Sequence, residues 1–199
     1  MLRSSALVLA LALVAAPRGL GAQDPPTARG LDPVGATLLA APPALREGAT
    51  VLGRGGAPRR SDVLTTLRPG DGPLVCLADD PGEDGFEVSC YHRDLDPFMA
   101  LGRVLRAEGA DRTRVMEARY AALEAGEIRM PAAAALYTLS APRAPGSDDP
   151  GPPGDVRRLM VVYLPYATAE STGLPTAPDG GEPWLMLPGT PWAHIMIPR

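Results

Sequence analysis

The chain carries two cysteines and two histidines, and three of these four sit close together as Cys76, Cys90 and His92, with Asp94 just beyond. Sulfur and imidazole ligate zinc, and a thiolate beside an imidazole is a nucleophile with its base. Both chemistries need a free sulfur. The flanking sequence instead predicts a β-hairpin in which the sulfurs meet. PLVCLAD and FEVSCYH flank the turn cluster DPGEDG. If Asp80 faces Phe86 around the turn Pro81 to Gly85, then Ala78 faces Val88, Cys76 faces Cys90 and Leu74 faces His92. Strand side chains alternate, so those residues share one face while Asp79, Glu87 and Ser89 occupy the other. One register thus serves the apolar pattern and a Cys76–Cys90 disulfide. With the sulfurs consumed no metal site is expected, and His92 reads as a strand-end residue bonded to the following turn.

The second histidine closes a looser constellation: Tyr163, Tyr166, Glu170, Ser171, Thr172, Trp184, Trp192 and His194. The terminal stretch PWLMLPGTPWAHIMIPR holds both tryptophans and no charge before Arg199, unlike the polar, mobile tail of an ordinary chain. Alternation in WAHIMI puts Trp192, His194 and Met196 on one side and Ala193, Ile195 and Ile197 on the other. An imidazole between an indole and a thioether is the composition of a ligand pocket, mostly apolar with a few polar groups. It is equally the composition of a core with one satisfied histidine. Read as a catalytic site, His194 is the base, Glu170 its orienting carboxylate and Ser171 or Thr172 the nucleophile, a small hydrolase-like arrangement. Read as a binding site, Tyr163, Tyr166, Trp184 and Trp192 are its walls, each offering ring surface with a polar handle. The sequence has no G-x-S-x-G, H-E-x-x-H, P-loop, G-x-G-x-x-G or paired C-x-x-C, so no cofactor is expected and binding is the favoured reading.

The elements that must position these residues follow from hydrophobic periodicity. DVLTTL, PLVCLAD and FEVSCYH, separated by turn clusters, predict a β-meander over 62–92. Asp96-Pro97 starts a helix with an apolar stripe of Phe98, Leu101, Val104 and Leu105, broken at Gly109. A second helix runs from about Arg112 to Ala125, with Asp111 as cap and Met116, Tyr120 and Leu123 as its stripe. Arg103, Arg106, Glu117, Arg119 and Glu124 are then expected on the solvated outer faces of this αα-hairpin. Strands return at 134–140 and 158–166, the latter apolar on both faces as a central strand should be, and end with short strands at 184–187 and 192–197. A brief helix is expected near Ala44 to Glu47, and loops at 53–62 and across APRAPGSDDPGPPGDV. The expected class is α+β: a mostly antiparallel sheet of about six strands, one disulfide-stapled hairpin, and an αα-hairpin packed on one face.

Domain organisation reads as a leader over 1–22, a flexible lead-in over 23–36 and a single domain over 37–199. Arg3, the apolar run Ala6 to Ala16 and the small residues Gly19 to Ala22 resemble a secretory signal, shorter than the roughly twenty apolar residues that span a bilayer. The chain is therefore expected to be exported to the periplasm or outside the cell, where a disulfide persists, with no transmembrane segment after cleavage. All 19 basic residues are Arg, with no Lys or Asn, which points to a GC-rich and hence bacterial genome. A net charge of −4 with Arg scattered among acids gives no basic stripe, excluding nucleic acid as a partner. The expected partner is a small molecule or an envelope protein.

Overall fold

The computed structural model describes residues 32–54, 64–144 and 156–199. The leader over 1–22, the lead-in as far as residue 31 and most of the two expected loops lie outside the described residues. Within the rest, eight strands form one sheet in the order β2-β1-β3-β4-β5-β6-β8-β7. They are β1 (Thr50–Gly53), β2 (Thr65–Arg68), β3 (Leu74–Leu77), β4 (Phe86–His92), β5 (Ala134–Ala141), β6 (Arg157–Tyr163), β7 (Trp184–Met186) and β8 (His194–Pro198). Four helices accompany them: α1 (Pro33–Thr37), α2 (Asp96–Ala107), α3 (Arg112–Glu124) and α4 (Ala169–Thr172). The fold is α+β, and no helix among the described residues is long and apolar enough to cross a membrane.

The β3–β4 pair has Leu74 opposite His92 and Cys76 opposite Cys90, and the two sulfurs are bonded. Leu74, Cys76, Phe86, Val88 and Cys90 are all buried on one face, against Ala36, Ala40 and Ala41 of the N-terminal segment. That segment begins as a helix. Asp32 accepts from the backbone N–H of Val34 and Gly35, and Pro33 occupies the first turn, so structure starts inside the stretch read as a flexible lead-in. The opposite face, carrying Val75, Tyr91 and Ala134, is covered by Leu95 and Met99 at the start of α2.

The expected strand number and mostly antiparallel pairing roughly fit, with three differences in detail. The sheet has eight strands because TVLG, wedged between glycine-rich stretches, forms β1, which sequence reading passed over. This strand also breaks the expected meander: it lies between β2 and β3, antiparallel to the first and parallel to the second, so DVLTTL and PLVCLAD are not neighbours. The sheet is accordingly mixed. Third, α3 turns a different stripe inward. Val115, Arg119 and Ala122 are its buried residues, one position earlier than the expected Met116, Tyr120 and Leu123, and Tyr120 is 44 % exposed. Arg119, expected in solvent, is only 8 % exposed.

Candidate functional site

β6 and β8 pair antiparallel with Tyr163 opposite His194, so both rings project from the sheet face that α2 covers, with centroids 5.1 Å apart. The ladder continues irregularly past the strand ends. The N–H of Leu164 donates to Ala193 O, that of Tyr166 to Thr190 O, and that of Gly189 to Ala167 O, which fixes the loop that presents Trp192. Gly189 turns this loop with φ 73°, a conformation glycine adopts without strain. Phe98, one turn into α2, meets Tyr163 edge-on at 6.3 Å and Trp192 at 6.0 Å. Tyr120 of α3 stands edge-on to Trp192 at 5.8 Å. Four aromatic rings and an imidazole thus form one cluster between sheet and helices.

Arg119 enters this cluster from α3, whose start is set by the Asp111 side chain accepting from Arg114 N–H. Its Nε donates to the Phe98 carbonyl at 2.9 Å, and its Cζ lies 4.1 Å from the Phe98 ring centroid, a cation–π arrangement. Gly102 makes the room: a Cβ there would stand 2.2 Å from Arg119 Nη2. The guanidinium has no carboxylate within ion-pair distance, and its Nη groups have no acceptor, among the described residues. Burial, then the positive charge of Arg106, pull its pKa down to about 10, Tyr163 opposing and Arg103 adding a little. It remains a cation at neutral pH.

Burial raises the Tyr163 phenol, so it stays protonated, and its hydroxyl has no partner among the described residues. Burial lowers the pKa of His194, offset in part by Trp192 O at 2.7 Å from Nδ1. A carbonyl only accepts, so Nδ1 carries the proton and Nε2 keeps a free lone pair. Among the described residues no fully enclosed side-chain nitrogen or oxygen lacks a partner. The open ends of Arg119, Tyr163 and His194 therefore touch accessible space.

Of the residues named from sequence, the structure brings Tyr163, Trp192 and His194 together. Trp184 shares their sheet face, opposite Met196, but on the edge strand β7. Tyr166 is 65 % exposed with a left-handed backbone. Glu170 is exposed in the first turn of α4. The Ser171 hydroxyl is committed to a reciprocal cap with Thr168, and Thr172 donates to Thr168 O. No hydrogen bond or ion pair joins His194 to Glu170 or Ser171, and its Nδ1 already serves a carbonyl. His92 lies on the opposite face of the sheet, where its Nδ1 accepts from Asp94 N–H at 3.2 Å. The two histidines share no cleft. Sequence reading missed Arg119, although Gly102 inside an apolar helix was a signal of close approach.

Two adjoining grooves of about 520 and 330 Å³ share Leu64 and Arg103. Two of the arginines there are paired, Arg103 with Asp96 and the Tyr91 hydroxyl, and Arg54 with Asp80. No protein-family model matches the chain, and neither a curated protein nor a solved structure matches it.

Proposed function

We propose that this chain is an exported, non-catalytic binding domain of the cell envelope that holds a small ligand beside the partly exposed Tyr163 and His194. One observation carries the reading. Three polar groups, on Arg119, Tyr163 and His194, lack protein partners in a setting otherwise aromatic and mostly buried, the makeup of a small-molecule site. The hydrolase-like alternative gains no supporting contact, because the Ser171 hydroxyl caps α4 and no carboxylate orients His194. On this reading α2 and α3 act as an αα-hairpin over the site, a role supported by the reach of Arg119 from one helix to Phe98 and Gly102 of the other. Export is supported by the Cys76–Cys90 disulfide, which persists in oxidising compartments, and by the signal-like start of the sequence.

The test is a fragment screen by NMR, with neutral and charged aromatic compounds added to the full chain. Saturable shifts at the Trp192 indole and the His194 and Tyr163 rings are expected. Shifts confined to the groove of Leu64 and Arg103 would move the site elsewhere, and no shift from any compound would sink the reading. N-terminal sequencing of protein from the envelope checks export; a chain still starting at Met1 would contradict it.

A further inference from the structure

We propose that residues 32–41, with α1 at their start, form a strap that seals the Cys76–Cys90 disulfide, so that thiol–disulfide exchange waits on the strap lifting from the sheet and not on global unfolding. The strap lies on the sheet face away from the aromatic cluster and is independent of the binding reading. Both cysteines are fully buried. Ala36, Ala40 and Ala41 pack with them in one cluster, and the carbonyl oxygen of Thr37, itself a fully buried residue, lies 3.9 Å from Cys90 Sγ. Exchange requires a thiolate to reach one of the two sulfurs. Under the strap neither sulfur is accessible, and a thiolate expelled there would be a charge in an apolar setting.

The strap can lift as a unit because its hydrogen bonds are mostly its own. Asp32 caps α1, Thr37 Oγ1 donates to Pro33 O, and the N–H groups of Leu38, Leu39, Ala40 and Ala41 donate to the carbonyls of Val34, Ala36, Thr37 and Leu38. None of these has a partner in the sheet. From beyond the strap, among the described residues, its carbonyls accept from Arg158 Nη1 at Leu39 and from Arg46 Nε at Ala41, each at 3.0 Å. Its buried residues are three alanines and Thr37, which offer little apolar area, while Val34, Leu38 and Leu39 are only partly buried. A segment with few buried apolar contacts opens at a lower free energy than the whole molecule. Downstream the chain is pinned, because Arg68 donates to the carbonyls of Arg46 and Ala49, and Gly72 N–H donates to Gly48 O. The hinge therefore falls at Pro42 and Pro43, between the strap and this anchor.

With the strap lifted, a dithiol such as dithiothreitol supplies both electrons. One of its thiolates bonds to one cysteine sulfur as the S–S bond breaks, and the other cysteine leaves as a thiolate that takes up a proton. The second dithiothreitol thiolate then closes on the first sulfur, forming a cyclic disulfide and releasing the remaining cysteine. The test follows thiol release from the full chain in excess dithiothreitol by acid quenching, alkylation and mass measurement. Reduction of the native chain should be at least about a hundredfold slower than that of the urea-unfolded chain. Below the unfolding transition its rate should rise less than about twofold per molar urea, whereas gating by global unfolding would raise it at least about fivefold per molar. Arg158→Ala removes the tie to Leu39 O and should speed reduction about threefold or more. Val115→Ala, in the buried stripe of α3 on the other face, should lower the urea midpoint but change the reduction rate by less than about twofold. A native chain reduced as fast as the unfolded one would show no seal. A steep urea dependence, a Val115→Ala rate that tracks its lost stability, or no thiol release below the transition would show that only global unfolding exposes the sulfurs. An unchanged rate in Arg158→Ala would show that the strap is not the gate. Each of these results overturns the proposal.

Discussion

Gly102 sits in the interior of α2, where glycine costs about 1 kcal/mol relative to alanine, and Arg119 explains its presence. Gly102→Ala would gain helix propensity but drive the guanidinium off Phe98 O, and a lost charged hydrogen bond costs about 1.5–3 kcal/mol. The expected net effect is a loss of about 1 kcal/mol in chemical denaturation. In an Arg119→Ala background the clash is gone, and the same substitution should become stabilising. A loss of equal size in both backgrounds would show that Gly102 is not there for Arg119. His194 offers a second test. Its pKa is lowered by burial from an ordinary value near 6.5, so the unfolded chain takes up its proton at higher pH than the folded one. The stability this supplies is complete above about pH 6.5 and lost as pH falls below it. Asp79, whose pKa burial raises, acts in the opposite sense and is common to both proteins compared. Melting of wild type should therefore drop more between pH 7 and pH 5 than that of His194→Phe; parallel descents would contradict the assignment. Why Arg119 escaped sequence reading is also a matter of single residues. Periodicity scores an arginine as a surface residue, and only the steric fit to Gly102 and the Phe98 carbonyl reverses that.

Among the elements, β3 and β4 were the most legible because two independent constraints, the apolar alternation and the cysteine pairing, demand the same register. β1 had neither: its four residues give too short a pattern, and its parallel pairing with β3 is a long-range contact with no local turn to announce it. α3 was legible as a helix through Asp111 and its capping geometry, but not in its rotation, since its alanines and arginines draw no clear apolar stripe. The C-terminal strands were legible from their alternation and lack of charge. β8 lies between β6 and β7, and Leu185 and Ala193 are fully buried with Ala167. Deleting residues 183–199 removes both strands, strips the pairing from β6 and takes Trp192 out of the cluster. The truncated chain should lose cooperative thermal unfolding; a truncated chain that melts at the wild-type temperature would show the segment to be an appendage.

The whole molecule is one sheet faced by two different coverings, the N-terminal segment on the side of the disulfide and α2 on the side of the aromatic cluster. The disulfide serves the first side. It closes a separation of 14 residues and is fully buried, so replacing both cysteines by alanine should cost about 3 kcal/mol while leaving ligand binding on the other side intact. Non-reducing alkylation of the native protein should find no free thiol. The other side carries the binding proposal. Its aromatic residues were legible one by one in the sequence, but their assembly was not, because it depends on the helix rotation that places Arg119 inward. An NMR titration of the full chain with neutral and charged aromatic fragments tests that proposal most directly. The account predicts saturable shifts at the Tyr163 and His194 rings. Shifts confined to the groove of Leu64 and Arg103, or no shift from any fragment, would contradict it.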